Sequence, residues 1–293
     1  MRTKKARRAK KTKNRRSLLV WFMYLVVAII FGVYLISNAG NTGGTETEQA
    51  SANVFANEVV NNVAEVGKTE IVEVGVTETE VKPLPKSHHI KNVPYINQYS
   101  TGYPTGCEAA ATAMVARYYG YDNVTTGKIV KKTPTDKEGK RYTTINGVTG
   151  WYAKSPFEVF VGDPSGTRLG DDSYGCFAPP IVVALEKLKV NCTNISGCSE
   201  EELFRYVSED TPVIVWGTVY ERAVTKGITW QYLDGSGSFT ELLVEHCLVL
   251  IGYDKDKVYL NDPAIGKNVS QTKKKFVKTW KKMYSQAIII NEK

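Results

Sequence analysis

Gln98–Gly120 reads QYSTGYPTGCEAAATAMVARYYG, and the rest of the chain is organised around it. Pro104, Thr105 and Gly106 break the backbone just ahead of Cys107. From Glu108 the residues turn helix-forming, with five alanines and a Met-Val pair. Gly120 then stands where a helix C-terminal glycine belongs. The pattern places Cys107 in the first turn of a helix. The positive end of the helix dipole favours thiolate over thiol there, and the thiolate is the nucleophilic form.

Far downstream, Glu245-His246-Cys247 opens the apolar run Leu248–Ile251, and Val258-Tyr259-Leu260-Asn261-Asp262-Pro263 follows. Both runs read as strands, with Asp254-Lys255-Asp256 as the hairpin turn between them. A cysteine early, a histidine late on a strand and a carboxylate soon after it give the chain order of a thiol nucleophile, an imidazole base and an orienting group. His246 is the only histidine after His89, so no rival imidazole exists in that half of the chain. Taken singly, Cys107 also reads as a small buried hydrophobe, and His246 as a satisfied core histidine. The joint pattern points to chemistry. Asn261 is a second candidate for the orienting role, because an amide also serves there.

The 293 residues carry a net charge of +8, spread very unevenly. Met1–Arg16 holds ten Lys/Arg and no acid, which leaves 28 Lys/Arg against 30 Asp/Glu in the remainder. The excess is one basic end, and it is no argument for nucleic acid binding. Leu18–Ile36 follows without a charge. Nineteen such residues span roughly 28 Å as a helix, enough to cross a hydrocarbon core. Trp21 and Tyr34 lie near its two ends as interfacial aromatics, and the basic flank is expected on the cytoplasmic side. A cleaved secretory signal is the competing reading, with Ser37-Asn38-Ala39 as small residues near a cleavage point, although signal cores run shorter than this.

The expected organisation is a basic cytoplasmic segment at 1–17, a transmembrane helix at 18–36, a flexible extracytoplasmic tether at 37–90 and a folded domain at 91–293. Within the last, Val93–Gln98 leads into the cysteine loop. Lys128–Arg141 reads as a polar surface excursion, and Gly147–Trp151 as turn-rich. Ile181–Leu188 carries a helical apolar face. Ser199–Glu202 forms a capping box for a second helix. Pro212–Gly217 reads as a buried strand, Trp230–Ser238 ends in a Gly/Ser loop, Lys273–Met283 is an amphipathic helix and Ala287–Ile290 a closing strand. Helices first and then a meander of strands is an α+β order. Apart from Cys107, four cysteines remain: Cys176, Cys192, Cys198 and Cys247. A Cys192–Cys198 bridge and four free thiols both stay open. No CxxC or Cys/His ligand spacing appears, and neither a metal nor a cofactor is expected.

The stretches QYSTGYPTGCEAAATAMVARYYG, YGCFAPPIVVAL, TPVIVWG and HCLVLIGYDKDKVYLNDP resemble the papain-like cysteine peptidases of the bacteriocin double-glycine leader peptidase type. More closely, they resemble the stand-alone relatives in secreted and membrane-anchored bacterial proteins. The resemblance covers about Val93–Ile290. It implies a papain-like fold in which the helix bearing the cysteine packs on an antiparallel sheet bearing the histidine. It further implies Cys107 as nucleophile, His246 as general base and acid, and Asp262 as the residue orienting the imidazole. Gln98 becomes the oxyanion-hole glutamine, acting with the Cys107 backbone N–H. One departure is local: leader peptidases tend to place an acid before the cysteine and a glycine after it, whereas here Gly106 precedes and Glu108 follows.

The expected function is therefore a membrane-anchored extracytoplasmic cysteine peptidase acting on a peptide or protein substrate. The alternatives are a thiol amidase cutting cell-wall peptides and a catalytically silent papain-like binding module at the cell surface. No phosphate loop, metal box or aromatic-basic stripe for nucleic acid is present.

Overall fold

The computed structural model describes residues 83–166 and 173–292. The basic segment, the apolar stretch 18–36 and the tether up to residue 82 lie outside the described residues. Among the described residues no helix is long and apolar enough to cross a membrane. The folded unit begins slightly before the expected boundary at Lys91. Strand β1 (His88–His89) is part of a sheet, and Ile90 is buried behind it.

The chain then runs through helix α1 (Cys107–Tyr118), helix α2 (Thr126–Lys132), strand β2 (Thr135–Asp136), strands β3 (Arg141–Ile145) and β4 (Val148–Ala153), and the short strands β5 (Phe160–Gly162) and β6 (Ser173–Gly175). Next come α3 (Ala178–Lys187), β7 (Cys192–Asn194), α4 (Glu200–Ser208), β8 (Val213–Thr218), β9 (Thr225–Tyr232), β10 (Ser238–Leu243), β11 (Glu245–Tyr253), β12 (Lys257–Asp262), β13 (Gly266–Thr272), α5 (Lys273–Lys282) and β14 (Ala287–Ile290).

The main sheet is antiparallel, in the order β13-β12-β11-β8-β14-β7, with β1 pairing on the far end of β11. Its centre is β11, every residue of which is buried. A strand covered on both faces must be apolar or internally paired throughout, and Leu248–Ile251 supplies that run. Helix α1 lies against β11 and β8. Residues Cys107–Ala116 are all buried, as expected for a helix apolar all round. Its alanines let the helix approach the sheet closely. The helix ends as its glycine foretells: Gly120 has φ +73°, its N–H donates to the Arg117 carbonyl at 3.0 Å, and the Tyr121 N–H reaches the Ala116 carbonyl at 3.0 Å. That pair of bonds is a Schellman ending.

Several local expectations are met. Ser199 Oγ accepts from the Glu202 N–H while Glu202 accepts from the Ser199 N–H, closing the capping box. The 254–256 turn is held by Asp254 Oδ1, which accepts from the Asp256 and Lys257 N–H groups. Phe276 and Trp280 of α5 are buried against the core.

Two expectations fail. The supposed surface excursion 128–141 contains most of α2, and Ile129 is fully buried. The Lys140 side chain is also buried, in an ion pair with Glu241. The turn-rich and loop readings of 147–151 and 230–238 miss a second sheet, ordered β10-β9-β4-β3, in which β4 and β9 run parallel. Its strands hold Trp230 and Phe239, which meet Tyr174 and Phe177 edge-on or tilted in an aromatic cluster. Strands therefore interleave with helices along the chain, although the α+β class stands.

Candidate active site

Cys107 is the first residue of α1 and is 1 % exposed. First-turn N–H groups of a helix point out of its end rather than at intrahelical carbonyls. The Cys107 sulfur thus sits in the positive field of the helix terminus. The Cys247 N–H on β11 approaches Cys107 Sγ at 3.5 Å. That contact sets the thiol against the strand position next to His246.

His246 and Asp262 are both fully buried, on β11 and at the end of β12. His246 Nε2 meets Asp262 Oδ1 at 2.6 Å. Asp262 Oδ1 is itself fixed by the N–H groups of Ala264 at 2.8 Å and Ile265 at 3.2 Å. The carboxylate therefore holds one ring nitrogen and determines how the ring is turned. His246 Nδ1 is buried and carries no hydrogen bond in this structure. It is the nitrogen left for a reacting group.

Asn261 does not share this role. Its Nδ2 donates to the Pro94 carbonyl at 3.0 Å and the Val93 carbonyl at 3.4 Å, and its Oδ1 accepts from the Asn268 N–H at 3.0 Å. Adjacent strand residues point to opposite faces. Asp262 turns to the histidine while Asn261 pins the lead-in segment.

Gln98 is 1 % exposed. Its Nε2 donates to the Pro104 carbonyl at 2.5 Å. An amide nitrogen has two protons, so one remains to donate elsewhere. The loop between is tightly held, with Gly106 N–H on the Tyr103 carbonyl at 3.0 Å and Thr105 Oγ1 on the Asp163 carbonyl at 2.9 Å.

Sequence reasoning passed over two site residues, Glu108 and Glu245. Each is a charged residue directly beside a candidate catalytic residue, and both are at least 95 % buried. Cys107 Sγ donates to Glu108 Oε2 at 3.4 Å, and Glu108 Oε1 accepts from the Cys176 N–H at 2.8 Å. One carboxylate oxygen of each glutamate and Cys107 Sγ all lie within 4.8 Å of one another. Gly175 makes room for them. A Cβ there would stand 2.6 Å from Glu108 Oε1 and 3.3 Å from Glu245 Oε2. The signal available in sequence was a charged residue inside two otherwise apolar elements, CEAAATAM and EHCLVLIG.

The site carries no cysteine bridge. All five cysteines are free thiols. Burial is the main cause lifting the Cys176 thiol well above the usual range, with the Glu108 carboxylate second. Burial likewise lifts Cys247, with Cys107 as the second cause. A cleft of about 350 Å³ opens beside Glu245, lined in part by Lys140, Tyr174, Arg222, Glu241 and Val244.

A thiol on a helix end, facing a strand that presents a carboxylate-held imidazole, matches one known group along most of the folded unit. The model of the Peptidase_C39 like family matches residues 90–288. The chain belongs to the Peptidase_C39 like family. Among curated proteins it is similar to the uncharacterized protein YvpB of Bacillus subtilis (strain 168), with 31% identity over 188 residues, 64% of this chain and 69% of that protein. Among solved structures it is similar to the crystal structure of a protein described as a C39-like peptidase from Bacillus anthracis. That match has a TM-score of 0.59 at 28% identity and covers 71% of this chain and 99% of the other. The Peptidase_C39 like region thus takes in α1, both strands of the His246–Asp262 pair and the two buried glutamates.

Proposed function

We propose that this chain is a cysteine peptidase that hydrolyses peptide bonds through a thioester intermediate. The observation that carries the reading is the Cys247 N–H to Cys107 Sγ contact, which joins the helix-borne thiol to the strand of the buried His246–Asp262 pair. In this reading the Cys107 thiolate attacks the substrate carbonyl. The developing oxyanion takes hydrogen bonds from Gln98 Nε2 and the Cys107 N–H. His246, protonated on Nδ1, gives that proton to the leaving amine. The thioester is then hydrolysed by water, with His246 as base. Asp262 keeps Nε2 occupied throughout, so only Nδ1 exchanges protons.

The resting thiol is turned to Glu108. Productive pairing needs it to exchange that acceptor for His246 Nδ1. Hydrogen bonds of this kind are often unformed before substrate binds. The cleft bordered by Glu245, the residue before His246, is proposed as the place for the substrate chain.

The test is turnover of a peptide library by the protein and by Cys107→Ala and His246→Ala. Loss of all hydrolysis in both variants supports the reading, and unchanged turnover in either refutes it.

Leu18–Ile36 is proposed as an uncleaved anchor that leaves the folded unit on the extracytoplasmic side. The basic flank and the length of the uncharged run support it. Retention of the protein in carbonate-washed membranes is the expected result. Its release to the soluble fraction would rule the anchor out.

A further inference from the structure

Glu108 and Glu245 have no part in the chemistry just described, yet they flank the nucleophile. We propose that the two act as one proton-sharing carboxyl pair, jointly carrying a single negative charge, and that this charge sets the pH at which the Cys107 thiol ionises. The proposal deepens the peptidase reading, but its test does not depend on any peptide being cut.

The geometry points to sharing. Both glutamates are buried, one on α1 and the other on β11, with carboxylate oxygens no more than 4.8 Å apart. Two like charges so close in a water-poor site do not both persist. One proton is retained, and the two groups titrate as a unit.

The hydrogen bonds show how Glu108 holds negative charge. Glu108 accepts from two donors, the Cys176 N–H at 2.8 Å and the Cys107 thiol at 3.4 Å. Donors favour a carboxylate over a carboxylic acid. These two donors stabilise negative charge on the Glu108 side of the pair.

Other groups facing the pair are the Cys247 thiol on β11 and Tyr174 and Cys176, while Lys140, Arg222 and Glu241 line the cleft that Glu245 borders, Lys140 in an ion pair with Glu241. Tyr174, Cys176 and Cys247 are all shifted upwards, each chiefly by burial. They stay neutral at physiological pH and do not offset the charge. The single negative charge of the pair thus opposes the helix terminus and the imidazole, both of which favour thiolate.

The pair makes an unusual prediction for single and double variants. Removing either glutamate alone lets the survivor ionise, so one negative charge remains beside the sulfur. Only removal of both discharges the site. The experiment is the pH dependence of Cys107 alkylation by iodoacetamide, followed by intact mass, in the native protein, Glu108→Gln, Glu245→Gln and the double variant. The midpoint should move little in each single variant and fall by about one pH unit or more in the double. Equal, additive falls in the single variants would mean two independent charges and overturn the pairing. An unmoved midpoint in the double would overturn the control of ionisation.

Should the double variant not fold, infrared spectroscopy of the native protein and the single variants decides. A carboxylic-acid C=O band at neutral pH, absent from both single variants, is the expected result. Its absence from the native protein would refute sharing. A failed peptidase reading would show instead as lack of turnover, with the alkylation pattern intact.

Discussion

The main-chain N–H of Gln98 donates to the carbonyl of Pro263 at 2.9 Å. The residue proposed to hold the oxyanion is thereby tied by its backbone to the residue following Asp262. Asn261 adds a second tie between the same two segments, through the Val93 and Pro94 carbonyls. The lead-in segment and the β12 end are therefore fastened to each other.

Adjacent residues on β12 should separate cleanly by function. Asp262→Asn leaves an amide that cannot hold the imidazolium, and kcat should fall by about 10²–10⁴-fold, less than for His246→Ala. Asn261→Ala should instead cost roughly 2 kcal/mol of stability through its lost buried hydrogen bonds, with kcat per folded molecule nearly intact. Denaturant titration beside steady-state kinetics tells the two apart.

Gln98→Ala should lower kcat by about 10²-fold and leave KM close to its native value, as expected for a donor that acts on the transition state. Its backbone bond to Pro263 survives the change, so the melting temperature serves as the control. A change confined to KM would remove Gln98 from the oxyanion role.

Gly175→Ala should be strongly destabilising, by about 2 kcal/mol or more. The residue has φ +114°, and the new methyl would press on the Glu108 carboxylate. Thermal unfolding measures the cost. The same variant should also perturb the alkylation midpoint of Cys107, because it moves Glu108.

Thiol labelling should be selective at neutral pH. Cys192 and Cys198 are pushed up to about 11, mainly by burial, with Glu186 and Glu202 as the second causes. At pH 7 each then has only about one thiolate in 10⁴, rising tenfold per pH unit as the pH climbs towards 11. Peptide mapping after brief iodoacetamide treatment should find Cys107 modified first. Fast labelling of Cys192 or Cys198 would contradict the geometry around them.

The sequence made the frame of the site legible because local signals coincided there. Pro104-Thr105-Gly106 ahead of a helix-forming run placed Cys107 at a helix start, and Gly120 marked its end. Alternation over Val258–Asp262 put Asp262 and Asn261 on opposite faces, but which face met His246 was a matter of sheet packing. Glu108 and Glu245 escaped notice because the reason for their burial is tertiary: they meet each other across a helix and a strand 137 positions apart. The second sheet was missed for a related cause. Strands β3, β4 and β9 carry Thr, Gly and Lys on an exposed face, and their pattern is weak until Trp230, Phe239 and Tyr174 come together.

Strand β1 clasps β11 at Gly252 and Tyr253, and the Ile90 N–H adds one bond to the Ile251 carbonyl at 2.8 Å. Any mechanical load arriving along the chain ahead of Ile90 meets the sheet at this clasp. His246 lies six residues back along β11, roughly 20 Å away at the rise of an extended strand, where β8 and α1 grip it. A pull would first unzip two ladder positions at the rim. The rim of the sheet, with its His88–Asp210 and Pro85–Tyr253 contacts, thus stands between such a load and the thiol and its imidazole.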